Sequence, residues 1–267
     1  MLPYEQDMHQ NDHMQRSERH RMIIRSVNSG VQDVHALAQL AGTSAITIRR
    51  DLSELAEQGS LRRVRGGAAP APARGAEFPF DLRRAEATEI KNALAQLAAS
   101  HIRPGDSVLI DNGTTALAVA QELAGIGITA MALSLRAAEA LNQKPGNQVI
   151  VPGGTLSFDE LAFVGAGTAD AVSAMRFDVA IIGACAADLD SGLTVAGWDD
   201  AHVKRAVLKS SRRSILVATA DKFTRTAAHK FGTVEDLDTI ITSSDVSPAL
   251  VHEVRAMGIE VVVAQVA

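Results

Sequence analysis

Ser44-Ala45-Ile46-Thr47-Ile48-Arg49-Arg50-Asp51-Leu52-Ser53-Glu54-Leu55 reads as one helix. Ile48, Leu52 and Leu55 recur at helical spacing and form a single apolar stripe. Ser44, Thr47 and Arg50 fall on a different face, Arg49 lies beside it, and Ser44 stands at the N-cap position. An outer face of short hydroxyls and guanidinium groups suits the major groove of DNA. Hydroxyls bond base edges or phosphates, and arginine grips guanine or phosphate through two bonds. Taken alone, the stretch equally fits a solvated amphipathic helix with two surface arginines, so its neighbours decide.

Upstream, Arg16 to Ser29 predicts a first helix with Met22, Ile23, Ile24 and Val27 inward, ended at Asn28-Ser29-Gly30. Asp33 caps a short second helix, Val34 to Leu40, with Leu37 and Leu40 inward. The small residues Ala41-Gly42-Thr43 let it meet the next helix steeply. That helix runs to about Gln58, where Gly59 stops it. Leu61-Arg62-Arg63-Val64-Arg65-Gly66-Gly67 then reads as a small β-wing, with Arg63 and Arg65 alternating with Leu61 and Val64 on a basic face that reaches phosphate or the minor groove. The order is that of a winged helix-turn-helix. Its expected bounds are 16–68, after a disordered leader over 1–15 and before an Ala/Pro/Gly linker over 69–79.

Charge follows the same division. The net charge is −5, yet residues 16 to 67 hold nine arginines against five acids, so a segment of +4 is attached to a remainder of −9. A basic head on an acidic body fits a DNA-binding domain fused to something else. Hydrophobic residues make up 46% of the chain and aromatics only 3%, so the core must be Ala, Val, Leu and Ile. No apolar run is long enough to span a membrane, the N-terminus lacks the apolar stretch of a signal peptide, and the lone Cys185 excludes an internal disulfide framework; a cytoplasmic protein is expected.

From Phe80 the pattern changes. Ala85 to His101 predicts a long helix. Apolar strands follow, beginning at Ser107, Ile128, Val149, Val179, Ser214, Thr239 and Glu260. Candidate helices lie between several of them, at 115–123, 137–141, 167–175, 200–211 and 248–257. This alternation predicts an α/β domain over 80–267, its mostly parallel sheet covered on both faces.

The residues now match a family. Arg19 with Ile23, Leu37-Ala38, Ser44-x-x-Thr47-Ile48-Arg49-Arg50-Asp51-Leu52-x-x-Leu55, Gly59, and Leu61-x-Arg63-x-x-Gly66-Gly67-Ala68 fit the winged helix-turn-helix of the deoxyribose-operon repressor (DeoR) family. In the body, Lys91, Gly105-Asp106, Asp111-Asn112-Gly113-Thr114-Thr115, Gly153-Gly154, Gly165, Asp178, Gly183, Gly192-Leu193-Thr194, Lys204-Arg205-Ala206 and Asp221-Lys222-Phe223 fit in order. The chain thus resembles that family from about residue 16 to 245. The resemblance implies a body folded like ribose-5-phosphate isomerase that binds a phosphorylated sugar or related metabolite. It also implies a repressor, and a homo-oligomer, dimer or tetramer, that places two heads on two half-sites of double-stranded operator DNA. DNA contacts are expected from Ser44, Thr47, Arg49, Arg50, Arg63 and Arg65.

Asp111 to Thr115 follow a strand and open a helix. Free N–H groups and the helix dipole there suit a phosphate, Gly113 lets the backbone approach, and Asp111 and Asn112 are placed to read sugar hydroxyls. The alternative is a tight turn capped by Thr114. Gly153 and Gly154 either line the same crevice, at the carboxyl ends of the strands, or make an ordinary turn. Lys222 is the best cationic partner for a phosphate, whereas Lys204 is either a second partner or simply exposed. Asp188 and Asp190 are expected in a loop near the pocket mouth. Two positions depart from the family pattern where the ligand is expected: Leu133-Ser134 stands in place of Thr-Asn, and Thr219 in place of an aspartate.

Other chemistry is weaker. Eight histidines show no ligand spacing with Cys or carboxylates, so no metal or cofactor is expected. Cys185 reads as a buried small hydrophobe and Trp198 as packing or a pocket wall. The rival readings are an isomerase-like enzyme, with Asp111, Asp188 or Asp200 as base, and a DNA-binding protein without an effector.

Overall fold

The computed structural model describes residues 16–28, 30, 33–57, 61–70 and 80–265. The predicted leader, the helix stop at Gly59 and most of the linker lie outside these residues. The chain divides into two compact units, meeting in sequence at Pro72 and Ala73.

The head contains α1 (Arg16–Asn28), α2 (Val34–Leu40), α3 (Ala45–Glu57), β1 (Leu61–Val64) and β2 (Gly67–Pro70). Gly30 ends the first helix, at φ +104° with its N–H on the Val27 carbonyl, a backbone state that glycine takes without strain. Asp33 caps α2, accepting the N–H groups of His35 (2.8 Å) and Ala36 (3.0 Å). Ile23, Val27, Leu37, Ile48, Leu52 and Leu55 are fully buried and form the head's core. Leu40, expected inward, is 55% exposed, because α2 ends there and its last turn faces outward. The wing is an antiparallel hairpin that pairs Leu61 with Pro70 and Val64 with Gly67. Ala69 and Pro70 therefore belong to the wing and not to the linker.

The body opens with α4 (Phe80–Ala85) and α5 (Thr88–Ser100). The sequence predicts a helix from Ala85 to His101, which α5 largely matches, and does not announce α4. The chain breaks at Ala87, a non-glycine residue at φ +52°. Then follow β3 (Ser107–Ile110), α6 (Thr114–Glu122), β4 (Thr129–Ala132), α7 (Leu135–Leu141), β5 (Gln148–Ile150), β6 (Thr155–Leu156), β7 (Phe163–Val164), α8 (Ala166–Ser173) and β8 (Val179–Ile182). The last part is β9 (Ala186–Asp188), β10 (Gly192–Val195), α9 (Trp198–Ser210), β11 (Ser214–Ala218), β12 (His229–Gly232), β13 (Thr239–Ser243), α10 (Pro248–Ala256) and β14 (Glu260–Ala264).

Seven of these strands make one parallel sheet, in the order β14-β13-β11-β8-β3-β4-β5. Alternate residues feed two cores. Leu109, Ala180 and Leu216 face α8, α9 and α10, while Val108, Ile110, Val179 and Ile215 face α5, α6 and α7. The first strand lies mid-sheet. The chain builds outward from β3 to β5, then returns to build from β8 to β14 on the other side. The connections leaving β3 and β8 thus diverge, and such a switch point opens a crevice at the carboxyl ends of the strands. Beside this sheet stand a three-stranded antiparallel sheet, β12-β10-β9, and the hairpin β6-β7, neither of which the sequence announced. Among the described residues no helix is long and apolar enough to cross a membrane.

Candidate functional sites on the head and in the body

On the head, α3 is anchored by its acid. Asp51 is buried, accepts from Arg19 Nε (2.7 Å) and lies 3.1 Å from His20 Nε2, which ties α3 to α1. Burial alone would raise the Asp51 pKa, but the hydrogen bonds from Arg19 and His20 outweigh it and hold the carboxyl below its usual range. Glu54 joins Asp51 and His20 in a cluster of ligand type, from segments far apart in sequence, but its carboxylate is paired with Arg16. The cluster thus already has its cations.

The outward side of α3 differs from expectation in detail. Ser44 Oγ accepts the Thr47 N–H (3.1 Å) and the two hydroxyls bond each other at 2.9 Å, so both are partly spent on the helix start. Arg49 and Arg50 are exposed. Arg63 donates to the Arg49 carbonyl (3.1 Å) and to Ser53 Oγ (2.7 Å), which docks the wing on α3. Arg65 lies in the hairpin turn beyond β1, so the period-two face does not extend to it.

In the body, a cavity of about 650 Å³ opens at the switch point. Asn112, Gly113, Thr114 and Thr115 line it from the β3–α6 turn, and Lys204 and Lys222 line it from further along the chain. Gly113, at φ +96°, is the N-cap of α6 and supplies no side-chain cap, so the first N–H groups of this helix keep donors free of any capping side chain. Asp111, just behind, is 1% exposed. Its Oδ2 accepts the Gly183 N–H (2.8 Å) and forms an ion pair with Lys204 Nζ, while its Oδ1 has no hydrogen-bond partner among the described residues. Asp111 is thus set to hold the switch point together rather than to read sugar hydroxyls. Lys204 is 2% exposed and not a surface residue. Burial would lower its pKa, but the Asp111 and Asp200 carboxylates outweigh this and raise it. Asn112 donates to Asp200 Oδ1 at 2.9 Å and so steadies the start of α9.

The Lys222 ammonium has no hydrogen-bond or ion-pair partner among the described residues. Across the cavity stands Lys91, which the sequence showed only as part of a pattern. Its Nζ donates to the carbonyls of Arg83 and Glu86 (2.8 Å to Glu86), at the end of α4. Burial, with the charges of Arg83 and Lys222 nearby, pushes its pKa down to about 8. Two lysines that repel each other beside a helix N-terminus form a natural seat for an anion. Arg83 is paired with Glu160 on the same wall.

Several expected positions lie elsewhere. Gly153 and Gly154 do not line the cavity; the Gly153 carbonyl accepts from Thr168 Oγ1 (2.8 Å), and a Cβ at 154 would meet that oxygen at 2.3 Å. Close packing on α8 therefore accounts for Gly154, and a turn at φ +74° for Gly153. Ser134 caps α7 through the Ala137 N–H (3.1 Å) and is also outside the cavity lining, whereas Thr219 lines the cavity and donates to Asp221. Asp188 and Asp190 do not line it; Asp188 holds a turn through the Ser191 N–H (2.7 Å). Cys185 is half-buried and, like Trp198, forms part of the wall. The Trp198 ring is 5.7 Å from His229, edge to face, with Arg205 5.3 Å away over it.

These features have counterparts in known proteins. The chain is 36% identical over 245 residues to the glycerol-3-phosphate regulon repressor of Haemophilus influenzae, covering 91% of this chain and 94% of that one. It is 33% identical over 248 residues to the transcriptional regulator GlpR of Haloferax volcanii, covering 92% and 97%. A solved ribose 5-phosphate isomerase A from Methanocaldococcus jannaschii matches 51% of this chain and 54% of its own, at 14% identity and a TM-score of 0.38. Residues 19–71 match the DeoR-like helix-turn-helix domain and residues 86–244 the DeoR C-terminal sensor domain, and so the chain belongs to the DeoR family.

Proposed function

We propose that this chain is a cytoplasmic transcription repressor of a carbohydrate operon that releases its operator when a phosphorylated sugar or polyol enters the body's cavity. The observation that carries the effector half is the uncapped start of α6 facing a cavity that Lys91 and Lys222 also line. A phosphate there gains backbone donors, a helix dipole and two cations together. The relatives, named as regulators and repressors, support the DNA half. So do the exposed Arg49 and Arg50 on α3. A single small head grips few base pairs, so a dimer or tetramer with two heads on two half-sites gives useful affinity. Catalysis is set aside, because the buried carboxylate at the switch point is already committed to Lys204.

The test is a fluorescence-anisotropy titration of the full chain on DNA from upstream of its own gene, at fixed salt and with scrambled competitor. It is repeated with glycerol 3-phosphate and a panel of pentose and hexose phosphates. One phosphate is expected to weaken specific binding, and Lys222→Ala should raise the concentration needed by about tenfold or more, the worth of one charged hydrogen bond. Specific binding indifferent to the whole panel would remove the effector and leave the DNA reading standing.

A further inference from the structure

The centre of the outward side of α3 is an isoleucine. Ile46 is 76% exposed, in the first turn of the helix. At 3.6 residues per turn it lies opposite the buried stripe of Ile48, Asp51, Leu52 and Leu55. Its helical neighbours at i+3 and i+4 are Arg49 and Arg50, and Ser53 continues the same line; all three are exposed. Isolated exposed apolar side chains are common and by themselves mean little. This one has a particular setting. A β-branched residue does little for helix formation, and nothing among the described residues of the head covers it. It is flanked by two free-standing guanidinium groups, the signature of a surface that meets nucleic acid. First-turn residues of a recognition helix are those that reach base edges, and the apolar feature among those edges is the 5-methyl group of thymine.

We infer that Ile46 packs against a thymine methyl group in the major groove and so sets one position of the operator sequence. The contact rests on the DNA-binding reading. It adds a specificity element to an interface otherwise made of charges and hydroxyls. Arginines on phosphate hold the helix in register without reading sequence, whereas a methyl contact distinguishes T from C and from U. Ile46 is solvent-exposed in the free protein, so its truncation leaves the fold intact.

The experiment starts from a random duplex pool enriched by the full-length protein. Each thymine of the selected duplex is replaced in turn by uracil, which lacks only the methyl. At one position, or its symmetry mate, wild-type binding should fall by about fourfold, the worth of one buried methyl. Ile46→Ala should lose a similar factor on the thymine duplex and show no further loss on the uracil one, with its melting temperature unchanged. Ile46→Val should fall between. A wild type indifferent to every uracil would overturn the inference, as would a uracil effect of equal size in Ile46→Ala. Failure to enrich any duplex would overturn the DNA-binding reading itself, a different result.

Discussion

Among the described residues each unit buries one aspartate, and the two are used differently. In the head, Asp51 is bonded by Arg19 and His20 from another helix, and both of its oxygens are engaged. In the body, Asp111 meets Lys204 and the Gly183 N–H through one oxygen and leaves the other without a partner. A satisfied carboxylate whose arginine partner is partly exposed acts as a staple between helices. An almost fully enclosed pair beside a cavity costs more to desolvate and is more sensitive to the loss of either member. The head thus shares its buried carboxylate between two partners, 32 and 31 residues away, whereas in the body Asp111 is balanced by one ammonium 93 residues away that Asp200 also faces at 3.8 Å.

That contrast can be broken most sharply at Lys204. Lys204→Met strands the Asp111 charge and should destabilise the body by about 3–5 kcal/mol in thermal or denaturant unfolding. Asp111→Asn in the same chain should restore most of that loss. A cost below about 1 kcal/mol would show the pair to be dispensable. Asp51→Asn should cost less, about 1–3 kcal/mol, read as faster amide exchange in α1 and α3. It carries a pH signature. The folded pKa of Asp51 lies below its unfolded value, so its stabilisation is complete above about pH 4 and is lost as pH falls through the folded pKa. Wild-type α1 and α3 should therefore loosen in acid by a step that Asp51→Asn lacks. A step that persists in the variant would assign it to other carboxylates. The smallest effect is expected at Lys91. Its pKa of about 8 means that it loses charge as pH rises, so the phosphate concentration needed for DNA release should increase by up to about tenfold between pH 7 and 9. Lys91→Arg should flatten that profile, and a profile equally steep in the variant would place the titrating group elsewhere.

The head was legible because its determinants are local. The apolar stripe, the Asp33 cap and the Gly30 stop each act within a few residues, and each is found as read. Ile46 escaped notice because an apolar residue in an amphipathic helix reads as core until its angular position is worked out. In the body the parallel strands were legible as short apolar runs. β9 was not, since Ala186-Ala187-Asp188 is too short and too small to show alternation. The break at Ala87 carries no glycine or proline to announce it. The cavity was legible at 112–115, where its residues adjoin in sequence, and at Lys204 and Lys222, which the family pattern pointed to. Lys91 and Lys222 come together from 131 positions apart, and nothing local distinguishes Lys91 from a surface lysine. Of the two readings of Gly153-Gly154, the structure takes the turn, with Gly154 packed against Thr168.

The Asp111–Lys204 pair has one more consequence, best put mechanically. It rivets β3, the β8 exit at Gly183 and α9 into a stiff floor for the cavity. Another part of the cavity wall is made differently. Glu160 lies between the two strands of a short hairpin, and Arg83 and Lys91 grip it and the backbone at the end of a six-residue helix. This part of the wall is thus held by an ion pair and two backbone hydrogen bonds, where the floor is held by a buried ion pair.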